Sequence, residues 1–445
     1  MTHDMTKGSV LSLLVGFTLP LVAGNILQLT YNAADSIILG RYVGSGQLAA
    51  AGTSNPLMSL IMMFMQGISL GCAVLIGQLF GKGETENMQR QISTGMVSGS
   101  VFALVLTALL VPGAKPLLRL LQADAVILPY AVVYLRIVGC GIIFQFLYNY
   151  LSSVLRALGD SVTPLYFLSF SSVLNIIGDL LLVVVFGMGI TGCALSTLLC
   201  EGLSCLLAYM YIVRKVPVLN MGRRWFVFDR NMFRKTLQYG TVTAMQQSTV
   251  QAGILGVQAI VNSMGAAATA GFAAANRIDD FSLIPGRNIA NAMTAVMAQN
   301  EGAGKRDRVR RAFFAGMGLE AAFGITASVL LFLFYDRCMR LFTDEAPVLL
   351  QGGTYLRLIA LMYVLPALTN GIQGYFRGTG NLRITLAGSL LNMGMRFFSC
   401  LIYAFVFHMG IAAVPWACFT GWTAMLVMEL PLLAGSVLKK ENASR

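Results

Sequence analysis

Long apolar segments, separated by short polar ones, follow one another along the whole chain. Many exceed the roughly 20 residues that a helix needs to cross a bilayer, and none shows the short alternation of a membrane β-strand. The pattern predicts an all-α polytopic membrane protein with twelve transmembrane helices. The predicted spans lie near residues 9–39, 47–78, 91–113, 127–155, 164–186, 190–213, 236–262, 268–299, 312–334, 348–375, 384–406 and 411–436.

The first apolar segment predicts a transmembrane helix and no cleavable signal peptide. It continues to about residue 39, which is longer than the apolar core of a signal peptide. Pro20 and Gly24 lie within this span. Because proline and glycine are the usual causes of helix kinks, the two residues predict a hinge in the first span.

Composition and the placement of charge support the membrane assignment. The chain has 445 residues, of which 56% are hydrophobic and only 11% charged, too few to cover a soluble protein of this size. Of 31 Lys and Arg residues, 21 fall in loops on one side, 5 on the other and 5 within spans. This asymmetry follows the positive-inside rule and predicts cytoplasmic termini in a plasma membrane, such as a bacterial inner membrane. It also explains the net charge of +12 without a nucleic-acid partner.

The reactive residue types form no recognisable catalytic or metal-binding pattern. The eight cysteines include no C-x-x-C pair, and the only histidines are His3 and His408. A glycine-rich phosphate loop and a Ser/His/Asp set are also missing from the sequence. We therefore expect neither an enzyme nor a bound cofactor, and the only predicted partners are the lipid bilayer and small organic substrates of a monomeric protein.

The second half of the chain repeats the first. Residues 134–136, 156–159 and 188–190 match residues 355–357, 377–380 and 409–411 at one offset of 221, while "SSVLN" (171–175) matches "GSLLN" (388–392) at 217. One offset over so long a stretch indicates a duplication with a small indel in the fifth span. It predicts two six-helix lobes, 1–213 and 236–445, joined by a basic cytoplasmic linker, 214–235. Six spans per lobe predict parallel bundles related by a pseudo-twofold axis along the membrane normal, an architecture for alternating access.

A few ionisable residues lie inside the predicted spans, where an unpaired charge is costly. Asp179 lies about 15 residues, or roughly 22 Å, above the cytoplasmic edge, and Thr197 lies roughly 10 Å below the outer edge. Asp35 is four residues before the outer end of the first span, and Asn175 is one turn before Asp179. These four residues share one depth and predict a cation site, either an oxygen cage for Na⁺ or a carboxylate pair sharing a proton.

The order of motifs resembles the MATE (multidrug and toxic compound extrusion) family, in its DinF-like branch. The resemblance spans nearly the whole chain and rests on "YNAADSIILGRYVG", "GQLFGKG", "LRALGDSVTP" and "NIIGDLLL", then "AANRIDDFSLIP", "QNEGAGK" and "FRGTGNLR". It implies the same cation-site residues, Asp35, Asn175, Asp179 and Thr197, as ligands of a metal ion only if that ion is Na⁺. It also implies a substrate cavity at Gln28, Tyr31, Asn149 and Ser172.

Two features of this chain depart from the family pattern, and span 8 carries a further pair of acids. Spans 7 and 10 lack the carboxylates that form a carboxyl-terminal cation site in the NorM-like branch. Glu201, one turn after Thr197, is predicted to line the cavity and favour cationic substrates, or else to be a buried protonated acid. Asp279 and Asp280 lie near Arg277 and Arg287, which predicts an internal ion pair that holds span 8 in place.

Together these observations predict a cation-coupled antiporter that exports drug-like, cationic or amphipathic organic compounds. Two alternatives remain at this stage. One is a flippase of the same superfamily that moves a lipid-linked precursor, although Arg136, Arg357 and Arg396 are few and scattered for a pyrophosphate cavity. The other is a receptor or scaffold without transport, against which the duplication counts. The sequence leaves the substrate and the choice between H⁺ and Na⁺ open.

Overall fold

The computed structural model describes residues 3–120 and 123–438, and within them the chain forms fourteen α-helices and no β-strand. Three of the helices continue into short π-helical segments, Leu39–Val43, Leu180–Val185 and Ile402–Val406. The α-helices are α1 Val10–Ile38, α2 Ser45–Lys82, α3 Thr85–Leu120, α4 Leu128–Cys140, α5 Ile142–Ala157, α6 Val162–Asp179, α7 Gly189–Lys215, α8 Arg230–Asn262, α9 Ala266–Gly302, α10 Arg306–Arg340, α11 Ala346–Ala360, α12 Val364–Gly378, α13 Leu382–Leu401 and α14 Ala413–Leu438. This confirms the prediction of an all-α polytopic protein.

Two of the predicted spans are broken helices. The span predicted at 127–155 is the pair α4 and α5, bent by 44°, and the span predicted at 348–375 is the pair α11 and α12, bent by 56°. The first bend lies at Gly141, between the two helices, where a residue without a side chain weakens the helix. The second precedes Pro366, which cannot donate a hydrogen bond to the carbonyl of residue 362.

Helices α8 and α9 are less apolar than the other spans. In the described part of the chain, eight single helices are long and apolar enough to cross a membrane, or ten when each bent pair counts as one span. Helix α8 carries Gln246, Gln247 and Gln251, and α9 carries three acids and two arginines. Both helices are nevertheless longer than 30 residues, so each is long enough for the seventh or eighth predicted span.

The chain divides into two compact units. Unit 1 comprises Met1–Asp4 and Leu19–Ala244, and unit 2 comprises Met5–Thr18 and Met245–Arg445. The division within the first helix therefore falls beside Pro20, although α1 continues through this proline without ending. The predicted hinge at Pro20 and Gly24 stays a prediction, as do the predicted lobe boundaries.

Residues of the predicted basic linker pack into unit 1. Between α7 and α8 the chain forms two short 3₁₀ turns, Pro217–Leu219 and Gly222–Phe226. Trp225 is only 1% exposed, and its ring packs edge-on against Tyr209 of α7 with centroids 5.5 Å apart. Ser93 of α3 donates a hydrogen bond to the carbonyl of Val227 at 2.7 Å. This segment is therefore folded against α3 and α7.

Helices α2 and α8 approach each other closely within unit 1. A Cβ added at Gly67 would lie 2.5 Å from the Cα of Ala244, and one at Gly71 would lie 2.7 Å from the carbonyl carbon of Tyr239. Thr243 Oγ1 donates a hydrogen bond to the carbonyl of Gly67. Glycines four residues apart allow two membrane helices to pack backbone against backbone, so the spacing determines this crossing.

Asp160 stabilises the start of α6. Its Oδ1 accepts a hydrogen bond from the Thr163 backbone amide at 2.9 Å, and its Oδ2 accepts one from the Thr163 hydroxyl at 2.6 Å. Burial acts to raise the pKa of Asp160, but these hydrogen bonds outweigh burial and hold the pKa below its usual range. Asp160 lies one residue before Ser161, the N-cap of α6. Its carboxylate nevertheless has a capping role, because it satisfies backbone amides that the first helical turn leaves free.

Unit 2 has its own hydrophobic core and anchors the N-terminal segment. Tyr355 of α11 is fully buried and packs edge-on against Phe272 of α9 with ring centroids 5.2 Å apart. The Met5 amide donates to Gln299 Oε1 at 3.0 Å, and Arg308 donates to the carbonyl of Gly8 at 2.9 Å. These hydrogen bonds hold the chain before α1 against the ends of α9 and α10.

Candidate functional site

The two acids predicted to bind a cation lie together in unit 1. Asp35 is in the last turn of α1, and Asp179 is the last residue of α6. Their carboxyl groups are near enough to interact electrostatically. Asp179 is fully buried, and Cys193 Sγ of α7 donates to its Oδ2 at 3.8 Å. Two neighbouring carboxylates repel each other. The pair is therefore stable either when it binds a cation or when the two groups share one proton.

Asn175 and Thr197 connect this pair to α7. Asn175 Nδ2 donates to Ser196 Oγ at 3.3 Å and to Thr197 Oγ1 at 3.5 Å. Ser196 Oγ in turn donates to the carbonyl of Asn175 at 3.0 Å, and Thr197 Oγ1 donates to the carbonyl of Cys193 at 3.1 Å. These bonds orient the amide group of Asn175 with its nitrogen toward α7, so its oxygen is free to accept. Ser196 and Cys193 are contacts that the sequence did not predict.

Three oxygens of this cluster are buried without a donor. They are Asp35 Oδ1, Asp179 Oδ1 and Asn175 Oδ1. A buried acceptor without a partner costs about 1–3 kcal/mol, and more when it is charged. Carboxylate and amide oxygens suit a hard monovalent cation, and a carboxylate pair also suits a proton. Over residues 3–120 and 123–438 no group of three or more His, Cys, Asp and Glu side chains is placed to hold a metal ion.

The backbone beside both acids is irregular. Asp179 immediately precedes the π-helical segment Leu180–Val185, and Asp35 lies four residues before the π-helical segment Leu39–Val43. Hydrogen bonds in a π-helix span five residues instead of four, so a π-helical segment changes the direction of the side chains that follow it. Such segments are frequent at functional sites, and here they end the two helices that carry the paired acids.

Polar residues predicted to line the cavity extend from this cluster along α1 and α7. Tyr31, one turn before Asp35, lies near Gln28 and within electrostatic range of Asp35 and Glu201. Gln28 is exposed. Glu201 Oε1 accepts a hydrogen bond from Gln145 Nε2 of α5 at 2.8 Å, so this acid has a polar partner and is not an isolated charge.

Asn149 and Ser172 are not joined to the cluster by hydrogen bonds. Asn149 Nδ2 donates to the carbonyl of Gln145 at 2.8 Å, and Ser172 Oγ donates to the carbonyl of Leu168 at 2.8 Å. Each therefore bonds to its own helix one turn earlier, which is the usual way a polar side chain is satisfied within a membrane helix. Their place in a substrate cavity stays a prediction.

Besides Ser196 and Cys193, two further residues of the cluster were not predicted from the sequence. Tyr134 of α4 lies within electrostatic range of Asp35, Asp179 and Glu201, and Gln145 of α5 binds Glu201. Tyr134 belongs to the Tyr-Leu-Arg triplet that recurs at 355–357, and this repetition marked Tyr134 as a candidate site residue. No sequence pattern marked Gln145 as a site residue, because its contact with Glu201 depends on how α5 packs against α7.

Asp280 and Asp279 of α9 have different surroundings, the first exposed and the second partly buried. Arg287 forms an ion pair with Asp280 at 3.2 Å, and both side chains are about half exposed. This pair joins two residues of the same helix and is half exposed, so the predicted role of holding span 8 in place stays a prediction. Asp279 instead accepts hydrogen bonds from the hydroxyls of Tyr363 and Tyr355.

Comparison with known proteins agrees with this architecture. The MatE family model matches residues 20–181 and 243–402. The chain is 31% identical over 397 residues to YpnP of Bacillus subtilis strain 168, described as a probable multidrug resistance protein, with 88% of this chain and 87% of that protein covered. It is 26% identical over 383 residues to the probable multidrug resistance protein NorM of Thermotoga maritima, with 83% and 80% covered.

Solved structures show the same fold. A crystal structure of MATE in the bent conformation superposes with a TM-score of 0.92 at 21% identity, covering 99% of this chain and 98% of that one. A multidrug resistance MATE transporter of the MOP superfamily in an outward-facing conformation gives a TM-score of 0.91 at 21% identity, covering 98% and 99%. This similarity confirms the prediction of twelve transmembrane helices in two six-helix lobes, while the DinF-like branch stays a prediction. The chain is a membrane transporter, not an enzyme, and it belongs to the MatE family.

Proposed function

We propose that this protein is an antiporter that exports drug-like organic compounds in exchange for H⁺ or Na⁺, with Asp35 and Asp179 as the coupling site. The observation that carries the proposal is the group of three buried oxygens without donors on Asp35, Asp179 and Asn175. A protein in a membrane retains such a cluster at a cost, so the cluster is best explained by a small cation that it takes up and releases. The multidrug resistance proteins among the relatives support the export of drug-like molecules.

The coupling follows because the cation and the transported compound compete for the same lobe. When the acids take up a cation, the pair loses its net repulsion and α1 can pack more closely against α6 and α7. Pro20 gives α1 a point at which this change can bend the helix. The cavity wall that cargo contacts near Gln28, Tyr31 and Glu201 is then arranged differently. Cation and cargo therefore favour different conformational states of the protein. Exchange requires only that each ligand has a different affinity for the two states.

Further expectations concern the charge of the cavity, the partners of the protein and the membrane that it spans. The carboxylate of Glu201, held by Gln145, gives the cavity an acidic group that favours cationic or amphipathic compounds. We expect no cofactor beyond the coupling ion, no nucleic-acid partner and a monomeric protein. The charge asymmetry supports cytoplasmic termini in a bacterial inner membrane.

The decisive experiment measures dye transport by the purified protein in liposomes. A fluorescent cation such as ethidium is loaded, and its movement is driven by a proton gradient or by a sodium gradient, with each gradient collapsed in turn. We expect Asp35→Asn and Asp179→Asn each to reduce gradient-driven transport at least tenfold, because either change removes the charge that the cation neutralises. The gradient that drives the parent protein identifies the coupling ion.

A matched control is Asp336→Asn in α10. Asp336 is an exposed acid paired with Arg340 at 2.8 Å, and its replacement should leave transport unchanged. Parent rates in both acid variants, with all proteins equally folded by size-exclusion chromatography, would remove Asp35 and Asp179 from the mechanism. Transport that ignores both gradients in the parent would refute cation coupling altogether.

A further inference from the structure

Unit 2 contains a fully buried acid that has no hydrogen-bond partner. This acid is Glu320 of α10, and both of its carboxyl oxygens are buried and unpaired. It occupies space that two glycines leave open. A Cβ added at Gly286 of α9 would lie 3.1 Å from Glu320 Oε2, and one added at Gly371 of α12 would lie 3.5 Å from its Cγ. The carboxyl group is therefore enclosed where α9, α10 and α12 pack together.

A second fully buried acid of unit 2 lies beside another glycine. Gln373 Nε2 of α12 donates a hydrogen bond to Glu429 Oε1 of α14, whereas Glu429 Oε2 is buried without a partner. A Cβ added at Gly388 of α13 would lie 2.5 Å from Glu429 Oε1, so any larger residue at this position would displace the carboxyl group. Glu429 is therefore enclosed between α12, α13 and α14.

Hydrogen bonds connect Glu429 to α8. Gln246 Nε2 of α8 donates to Gln373 Oε1 at 2.8 Å and to Ser389 Oγ of α13 at 3.1 Å. These two bonds orient the amide of Gln373, whose nitrogen then donates to Glu429. Spans 7 and 10, which contain no carboxylate in the described structure, thus supply the amides that hold a carboxyl group of span 12.

The two acids lie on opposite sides of α12. Gly371 and Gln373 mark their positions on this helix and are two residues apart, and successive residues of an α-helix are rotated by about 100°. Helix α12 is also the second half of the span that is bent by 56°. A change in the charge of either acid therefore acts on the packing of one half of a broken helix.

A proton is the ligand that fits these acids. A buried ionised carboxylate is costly, whereas a protonated one is neutral. Na⁺ needs several oxygen ligands at once, but Glu320 has no hydrogen-bond partner and the partner of Glu429 is an amide nitrogen. Among the described residues, the charged side chain within electrostatic range of both acids is Arg377 of α12. Its positive charge would stabilise an acid that has lost its proton.

We propose that Glu320 and Glu429 form a proton-binding site in unit 2, separate from the cation site at Asp35 and Asp179, and that they take up and release protons during transport. This inference rests on the proposed exchange of H⁺ or Na⁺ for organic cargo. Because three helices enclose each carboxyl group, the proton can pass to solution only when those helices move. Proton release is thereby tied to a conformational step that cargo binding favours. A purely structural acid would keep its proton throughout.

The test counts the protons released when cargo binds. Ethidium is added to the purified protein in weakly buffered detergent solution, and a pH-indicator dye reports the released protons. Each carboxyl group holds one proton, so we expect Glu320→Gln and Glu429→Gln each to release fewer protons than the parent, by up to one per protein. The control Glu345→Gln, which changes an exposed acid at the start of α11, should release the parent number. The parent number in either test variant would overturn the two-acid site.

A second measurement applies if the two test variants do not fold. Glu201→Gln, which removes the Glu carboxyl group of the proposed cavity, is produced with glutamate labelled with heavy carbon at the side-chain carboxyl. The label separates the infrared bands of Glu from those of Asp. Once fluorescence has shown that this protein binds ethidium, we expect ethidium to weaken the band of protonated Glu carboxyl groups. A labelled band that ethidium does not change would overturn the inference. Dye transport by the parent that ignores both gradients would instead refute the proposed function, so the two failures are distinguishable.

Discussion

Replacement of Gly67 by alanine tests the close crossing of α2 and α8. The new methyl carbon would lie 2.5 Å from the Cα and 2.6 Å from the nitrogen of Ala244. Both are backbone atoms, so no side chain can rotate away to make room. Because carbon atoms in good contact are separated by about 3.5–4.0 Å, the two helices must move apart by about 1 Å.

The expected cost follows from this displacement. Overpacking of a well-packed contact costs about 1–3 kcal/mol. The hydrogen bond from Thr243 Oγ1 to the Gly67 carbonyl, 2.5 Å long in the structure, would stretch beyond bonding distance, at a further cost of about 0.6 kcal/mol for an average interhelical bond. We therefore expect Gly67→Ala to lower the free energy of unfolding by about 2–4 kcal/mol relative to a glycine replacement without a clash.

Gly52→Ala in the same helix is the matched control. A Cβ at Gly52 meets nothing within 4 Å, so the change brings only the helix preference of alanine, which is favourable by up to about 1 kcal/mol. Both variants are unfolded with SDS in mixed micelles and followed by circular dichroism. Equal unfolding free energies for Gly67→Ala and Gly52→Ala, within about 0.5 kcal/mol, would show that the crossing does not need a glycine.

Three further predictions concern the folded linker, the cap of α6 and the cation site. Trp225→Ala should lower the free energy of unfolding in SDS by about 3–5 kcal/mol, because it removes a fully buried ring; a loss below 1 kcal/mol would contradict the packing of the linker into unit 1. Asp160→Asn should destabilise the protein at neutral pH by about 1 kcal/mol. Folding lowers the pKa of Asp160, so its carboxylate contributes fully to stability above its unfolded pKa of about 3.9, and this contribution is lost as the pH falls through the folded pKa. A stability difference between parent and Asp160→Asn that does not shrink on acidification would refute the capping role. Tyr134→Phe keeps the ring and removes the hydroxyl near the paired acids, so it should change the apparent affinity for the coupling cation by about fivefold, or about 1 kcal/mol, in dye-transport titrations; an unchanged affinity would place the hydroxyl outside the site.

Much of the candidate site was accessible from sequence because depth in a membrane can be counted along a helix. Helices rise by a constant length per residue, and this placed Asp35, Asn175, Asp179 and Thr197 at one level. The structure brings Asp35 to Asp179 and Asn175 to Thr197. Depth alone does not determine which face of a helix a residue occupies. The cavity residues Asn149 and Ser172 bond to their own helices, and their predicted role remains untested.

By itself, the sequence determined the class of protein, the number of spans and the duplication. The reason is that the bilayer demands about 20 apolar residues per span and penalises buried charge, so these features are local and visible as pattern. Tertiary structure alone decided where the helices bend, where the π-helical segments lie and which helices supply the partners of each buried polar group. Gln145 bonds to Glu201, Tyr134 lies within electrostatic range of the paired acids, and Asp279 accepts hydrogen bonds from two tyrosines of the bent α11–α12 span. These contacts join residues distant in the chain, and their geometry depends on packing angles that no local pattern encodes.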